Sequence, residues 1–118
     1  MKQKIKDMWV KELRSGKYAK GKTRLRNKDN TWCCLGVLTD IYRKTQKKGK
    51  WESVCDGSKE CYQYRMNAQG LCKRVATWAG LELSMGGNIK LGNSDAWAVN
   101  DAQCDNFDQV ADIIEKNL

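Results

Sequence analysis

The stretch TWCCLGVLTD, residues 31–40, places two adjacent cysteines before an apolar run that contains one glycine. The side chains that recur there at the spacing of one helical face are Cys34, Val37, Leu38 and Ile41. This spacing predicts a helix over residues 32–46, with Thr31 as its N-cap residue. Gly36 lies inside the helix, where glycine is unfavourable, so we expect it to permit the close approach of another helix.

The two adjacent cysteines admit several interpretations: a metal site, a nucleophile, part of a disulfide framework, or core packing. The chain has six cysteines, no histidine and no CxxC pair, so neither Cys–His catalysis nor a standard zinc motif is present. A zinc site built from Cys55, Cys61, Cys72 and one of the pair is a minor alternative, and so is a nucleophilic Cys33 at the helix start. We favour core packing, with Cys34 in the core and Cys33 at its edge.

The composition predicts a single domain spanning residues 1–118, because 41% of the chain is hydrophobic and the length is typical of one domain. The charged N-terminus lacks the apolar segment of a secretory signal, and no stretch of 18 apolar residues occurs. We therefore expect a cytoplasmic protein with reduced thiols and no membrane association. Neither GxxxxGK[ST] nor GxGxxG occurs, and no cofactor, metal or catalytic residue is assigned.

Periodicity and turn residues predict the other elements. WESVC and CYQYR flank a turn-forming DGSKE, which predicts a β-hairpin over residues 51–65. The segment 17–30 is polar, basic and rich in turn residues, and is expected to be a loop in which TRLR could be extended. The other predicted helices are residues 3–15 ended by Gly16, residues 68–79 ended by Gly80, a short helix from Ser94, and a last helix capped by Asp105.

These elements predict an α+β fold, a small single domain of four to five helices with one two-stranded β-hairpin. Trp9, Trp78 and Phe107 each lie on an apolar stripe and are expected to meet in one core. Four acidic residues could line one helix face and hold a divalent metal, but a cap at Asp105 and solvent-facing carboxylates are the favoured interpretation. The four are Asp101, Asp105, Asp108 and Asp112.

The net charge of +8 is unevenly distributed along the chain. Residues 1–28 hold eleven Lys and Arg and two acids, whereas residues 95–118 hold one Lys and six acids. The basic part favours an anionic partner, because arginine forks suit phosphate and aromatic faces stack on bases. The candidate binding residues are Arg14, Lys17, Tyr18, Lys22, Arg24, Arg26 and Trp32. The alternative surface is the acidic C-terminal face around Asn100 and Asp101, which would take a basic partner.

Four segments in chain order resemble a family of short bacteriophage and prophage proteins. They are WVKELRSGKYAKGKTRLRN, TWCCLGVLTDIY, RVATWAGLEL and VNDAQCDNFDQVADIIEKNL. The family shares LRSGKY after a Trp-containing helix, a CCLGVL helix, a W-GL ending, a Leu-Asn-Asp turn and a closing helix. The resemblance covers most of the chain, although Val99 replaces the expected Leu and residues 82–94 are less typical.

The resemblance implies a virus-encoded accessory protein that acts inside a bacterium. Such proteins often bind and block host factors, including defence proteins or their nucleotide signals. We therefore expect a non-catalytic protein that sequesters or inhibits a host component. The anionic partner that it binds would be a nucleotide, a nucleic acid or the acidic face of a host protein. The alternatives are a basic nucleic-acid-binding module using residues 14–28 and, less favoured, a zinc- or thiol-dependent enzyme. The sequence leaves open whether the chain forms a homo-oligomer.

Overall fold

Five helices surround a small mixed β-sheet in the computed structural model, which describes residues 1–118. The helices are α1 Gln3–Arg14, α2 Cys34–Gln46, α3 Lys73–Ala79, α4 Ala96–Ala98 and α5 Phe107–Asn117. The strands are β1 Ala19–Lys20, β2 Arg26–Asn27, β3 Thr31–Trp32, β4 Trp51–Asp56, β5 Lys59–Tyr64, β6 Lys90–Leu91 and β7 Ser94–Asp95. The α+β class is confirmed, and the single predicted hairpin is only part of the β-structure.

The main sheet has the strand order β1-β3-β2-β5-β4, with a parallel β1–β3 pair and antiparallel pairs elsewhere. The predicted hairpin forms β4 and β5, which turn at Gly57, where φ is +67°. Residues 17–30, predicted as a loop, supply β1 and β2 to the same sheet. Strands of two residues are too short to show a full alternation, so the loop prediction missed β1. The expectation that TRLR could be extended is met only at its last residue, Arg26, where β2 begins.

Helix α2 begins two residues later than predicted, because Thr31 and Trp32 form strand β3. The N-cap is Cys33, whose Sγ accepts a hydrogen bond from the backbone N–H of Gly36 at 3.4 Å. A side chain at Gly36 would overlap the carbonyl oxygen of Leu25. Gly36 therefore permits a close approach, as predicted, but the neighbour is Leu25, in the bent segment before β2, and not a helix.

The other helix boundaries differ modestly from the predictions. Helix α3 ends at Gly80 in the left-handed conformation, as predicted, but starts at Lys73 instead of residue 68. A π-helical turn, Val99–Gln103, follows α4. The cap of α5 is Asn106, not Asp105, because the Asn106 side chain accepts from the backbone N–H of Gln109 at 3.0 Å. None of the helices has both the length and the apolar character needed to cross a membrane.

One hydrophobic core joins the helices and the sheet. The predicted stripe of α2 is fully enclosed, and Cys34 has no exposed surface, while Cys33 is also buried. Trp9 and Phe107 lie in the same cluster, and Trp78 packs against it while remaining partly exposed. Trp78 makes an edge contact with Tyr42, with the ring centroids 5.3 Å apart. The expected meeting of the three aromatic side chains is thus confirmed, with Trp78 at the margin.

Candidate anion-binding groove

The predicted binding residues are distributed over several parts of the surface. Arg14 joins α1 to α5 through ion pairs with Asp112 at 2.6 Å and Glu115 at 2.8 Å. Lys22 lines an open groove of about 770 Å³ beside the β4–β5 turn. Arg14 is therefore engaged by α5, whereas Lys22 forms no ion pair and lines an open groove on the surface.

Asn100 is buried and connects two segments of the fold by hydrogen bonds. It is fully buried, its Oδ1 accepts from the backbone N–H of Cys34 at 3.1 Å, and its Nδ2 donates to the carbonyl of Gly21 at 3.0 Å. The neighbouring Asp101 accepts from the backbone N–H of Thr23 at 3.1 Å. The basic segment and the Asn100–Asp101 turn, predicted as alternative surfaces, therefore lie in contact.

Four other predicted residues come together in one groove of about 340 Å³ between β1, β2, β3 and α2. We call it the arginine groove. Its lining residues are Lys17, Tyr18, Arg26, Asn30, Trp32, Asp40, Arg43 and Lys44. It brings four cations to one place with a single carboxylate, so its surroundings favour an anion.

Arg26 is held on one side of this groove by aromatic rings. Strand β2 places it opposite both Tyr62 and Trp32, and its guanidinium carbon lies 4.2 Å and 4.9 Å from their ring centroids. Its Nε and Nη2 donate to Asn30 Oδ1 at 3.0 and 2.7 Å. The cation–π contacts and the hydrogen bonds to Asn30 together limit the orientations that this guanidinium can adopt. The remaining Nη1 makes no hydrogen bond within the chain.

Asp40 organises the other side of the groove. This carboxylate is 3% exposed and accepts hydrogen bonds from Tyr18 Oη at 2.7 Å, Arg43 Nε at 2.9 Å and Trp51 Nε1 at 3.0 Å. Burial raises its pKa, but the hydrogen bonds from Trp51, Tyr18 and Arg43 outweigh burial, and the pKa lies below its usual value. Asp40 therefore stays ionised and can hold Arg43 and Lys44, which follow it by three and four residues on α2.

Arg43 and Lys44 were not recognised as binding residues from the sequence. Their signal was the spacing Asp40-x-x-Arg43-Lys44, which places both cations beside the carboxylate on a helix. Within the chain, Arg43 donates a hydrogen bond only from Nε, so both of its Nη atoms can donate to a ligand. Arg26 and Arg43 both line this groove, and guanidinium groups suit the oxygens of phosphate or carboxylate.

The cysteines lack the features of a reactive or metal-binding set. Burial raises the pKa of the Cys33 thiol to about 11, which opposes the thiolate that a nucleophile requires. Cys61 pairs with Val54 across the hairpin, so Cys55 lies on the opposite face from Cys61. The alternative of a zinc site that includes both cysteines is inconsistent with this register. The structure contains no group of three His, Cys, Asp or Glu side chains placed to hold a metal ion.

Comparison with known proteins gives one match. A family model described as "Domain of unknown function (DUF8296)" matches residues 1–118. No curated protein and no solved structure matches the chain. The match carries no statement of activity, so the function has to be inferred from the geometry of the groove.

Proposed function

The chain belongs to this family of unknown function, and we propose that it is a virus-encoded, non-catalytic protein that captures an anionic component of the bacterial host in the arginine groove. The observation that carries the proposal is the pair of guanidinium groups, Arg26 and Arg43, which line one groove with unbonded Nη atoms. The resemblance to bacteriophage proteins supports the viral origin. The absence of histidine and the raised pKa of Cys33 support binding without catalysis.

The two arginines are oriented before any ligand arrives. Arg26 is held by Tyr62, Trp32 and Asn30, and Arg43 is held by the buried carboxylate of Asp40. A long side chain loses up to about 2 kcal/mol of rotamer entropy when it is immobilised. Because the fold already restricts these two side chains, they lose less rotamer entropy when an anion binds.

A compact phosphate-bearing ligand, such as a nucleotide, fits the charge distribution better than a long polyanion. Outside the groove, the arginines and one lysine of the basic segment are paired: Arg14 with Asp112 and Glu115, Arg24 with Asp56, and Lys28 with Glu60. Internal pairing reduces the charge that residues 14–28 could offer along a nucleic-acid backbone. Lys17, Arg43 and Lys44 in the arginine groove also form ion pairs, with Glu12 or Asp40. Arg26 forms none, and the four cations lie close together around one lining carboxylate, which favours a single localised anionic group.

The proposal is tested by identifying the ligand that copurifies with the protein from bacterial cells. Protein purified from infected cells is examined by native mass spectrometry, and the small molecules released on denaturation are identified. Arg26→Gln/Arg43→Gln should lose the anionic ligand. The matched control is Lys73→Gln/Arg74→Gln, which removes the same charge from the exposed face of α3 and should keep it. Equal ligand content in the two double variants would overturn the assignment to this groove.

Titration with inorganic pyrophosphate and with short oligonucleotides separates the two kinds of anion. We expect pyrophosphate binding to be at least tenfold weaker in Arg26→Gln/Arg43→Gln than in the parent. A nucleic-acid module would instead bind oligonucleotides with an affinity that falls steeply as salt rises. Tight oligonucleotide binding that survives the double substitution would favour residues 14–28 as a nucleic-acid surface.

A further inference from the structure

A third groove, of about 420 Å³, lies between the segment before β2, the turn before β6, and α4. We call it the tryptophan groove. Its lining residues are Thr23, Arg24, Gln69, Met85, Gly86, Gly87, Asn88, Trp97 and Asp101. It contains two of the predicted binding residues, Arg24 and Asp101, and none of the residues of the arginine groove.

Two of the four large apolar side chains that are exposed on the protein lie in this groove. Trp97 is 55% exposed and Met85 is 95% exposed, and both line it. Met66, 86% exposed, lines an adjoining groove that shares Gln69 and Gly86. Large side chains exposed together at a concave site indicate binding, whereas single exposed apolar residues need no explanation. Trp97 is the only aromatic residue that lines this groove.

Asn88 provides an unpaired donor in the same groove. The residue is 5% exposed, and its Oδ1 accepts from the backbone N–H groups of Ile89 at 2.9 Å and Trp97 at 3.4 Å. Its Nδ2 donates to no group of the protein and is not among the fully enclosed unpaired atoms. Because Asn88 lines the groove, this amide N–H₂ is available to an acceptor on a ligand.

Asp101 provides an oriented acceptor. Its Oδ2 accepts from the backbone N–H of Thr23 at 3.1 Å, and its Oδ1 accepts from Asn100 Nδ2 at 2.8 Å. A carboxylate has further lone pairs, so Asp101 can take another N–H donor. It forms no ion pair, and the guanidinium of Arg24 is engaged by Asp56, with Nε 2.9 Å from Oδ2. An unpaired carboxylate disfavours phosphate here and suits a neutral ligand that carries N–H groups.

We propose that the tryptophan groove binds a nucleobase. The base stacks on Trp97, one of its ring nitrogens or carbonyl oxygens accepts from Asn88 Nδ2, and one of its N–H groups donates to Asp101. Base edges present donors and acceptors side by side, and stacking on an aromatic ring contributes about 1–3 kcal/mol per base. This site is separate from the arginine groove, and the proposal goes beyond the anion binding proposed above.

The test uses nucleosides, which have a base but no phosphate. Guanosine and adenosine are titrated into the labelled protein, and the indole N–H of Trp97 and the side-chain amide of Asn88 are followed by NMR. Trp97→Phe assigns the indole signal. Saturable shifts of both signals with at least one nucleoside, and none with ribose, are expected. If neither nucleoside moves these signals at millimolar concentration, the proposal is wrong.

Two variants localise the effect. Trp97→Ala should weaken nucleoside binding about tenfold or more, since stacking is lost. Leu83→Ala removes an exposed apolar side chain outside the groove and should bind as the parent does. Unchanged affinity in Trp97→Ala would overturn the proposal. Arg26→Gln/Arg43→Gln should bind nucleosides as the parent does. The nucleoside titration therefore tests the base site independently of the anion site in the arginine groove.

Discussion

The indole nitrogen of Trp9 donates a hydrogen bond of 2.9 Å to the backbone carbonyl of Cys34 inside the core. The bond links α1 to the first turn of α2, and neither residue has exposed surface. Because this buried donor has a single acceptor, its removal should lower the free energy of unfolding by a measurable amount.

Trp9→Phe should lower the free energy of unfolding by about 1–3 kcal/mol, because it removes this buried hydrogen bond and leaves unfilled volume. Urea denaturation measures the change. Trp78→Phe is the matched control, since Trp78 is only partly buried and its indole nitrogen donates to no group of the protein. Equal losses in the two variants would show that the hydrogen bond of Trp9 contributes nothing specific.

Thiol labelling of the native protein should modify Cys55 rapidly and leave Cys34 unmodified. Cys55 is the one exposed cysteine, and burial raises the pKa of the Cys34 thiol. Cys34→Ser should cost about 1–3 kcal/mol through burial of a hydroxyl. The control, Cys55→Ser, should change stability by less than about 0.5 kcal/mol. Fast modification of Cys34, or a disulfide with Cys33, would contradict the buried and reduced state.

Gly36→Ala should destabilise the protein by about 3 kcal/mol or more, because the new methyl group overlaps the carbonyl oxygen of Leu25. Backbone cannot move aside as a flexible side chain can. Gly57→Ala is a useful comparison, since no atom lies within 4 Å of the added carbon and only the positive φ opposes it. Its cost should be about 1 kcal/mol. Thermal unfolding of both variants tests the difference, and similar melting temperatures would argue against the close approach.

Asp40→Asn should lower the free energy of unfolding by about 2–4 kcal/mol near neutral pH. The folded-state pKa of Asp40 is below the unfolded value of about 3.9, so its ionised form stabilises the fold above that pH. This contribution is lost as the pH falls through the folded-state pKa. The difference between parent and variant should therefore be constant above about pH 5 and shrink below about pH 4. A difference that is independent of pH over this range would contradict the assignment.

The long, periodic elements could be predicted from the sequence, whereas the short ones could not. The stripes of α1, α2 and α5 and the turn at Gly57 are local patterns, and each was located to within a few residues. Strands β1, β2 and β3 have two residues each, and their pairing depends on residues distant in the chain. The start of α2 was misplaced for the same reason, since Trp32 is held by its pairing with Arg26.

The candidate grooves were predictable only in part. Basic and aromatic residues in the segment 14–32 drew attention to Arg26 and Trp32, both of which line the arginine groove. Asp40 could not be foreseen, because its burial depends on Tyr18 and Trp51, which approach it from other elements. Asn88 and Trp97 were also missed, since nothing local shows that one amide nitrogen lacks a partner or that one ring is left exposed.

The packing of α1 against α5 has a consequence for synthesis on the ribosome. Arg14 on α1 pairs with Asp112 and Glu115 on α5, and Lys6 Nζ reaches the carbonyl of Glu115 at 3.1 Å. At about 5–20 residues per second, α5 emerges many seconds after α1. During that time no helix covers the side of α1 that packs against α5. The nascent chain therefore exposes the apolar face of an amphipathic helix until α5 has been synthesised.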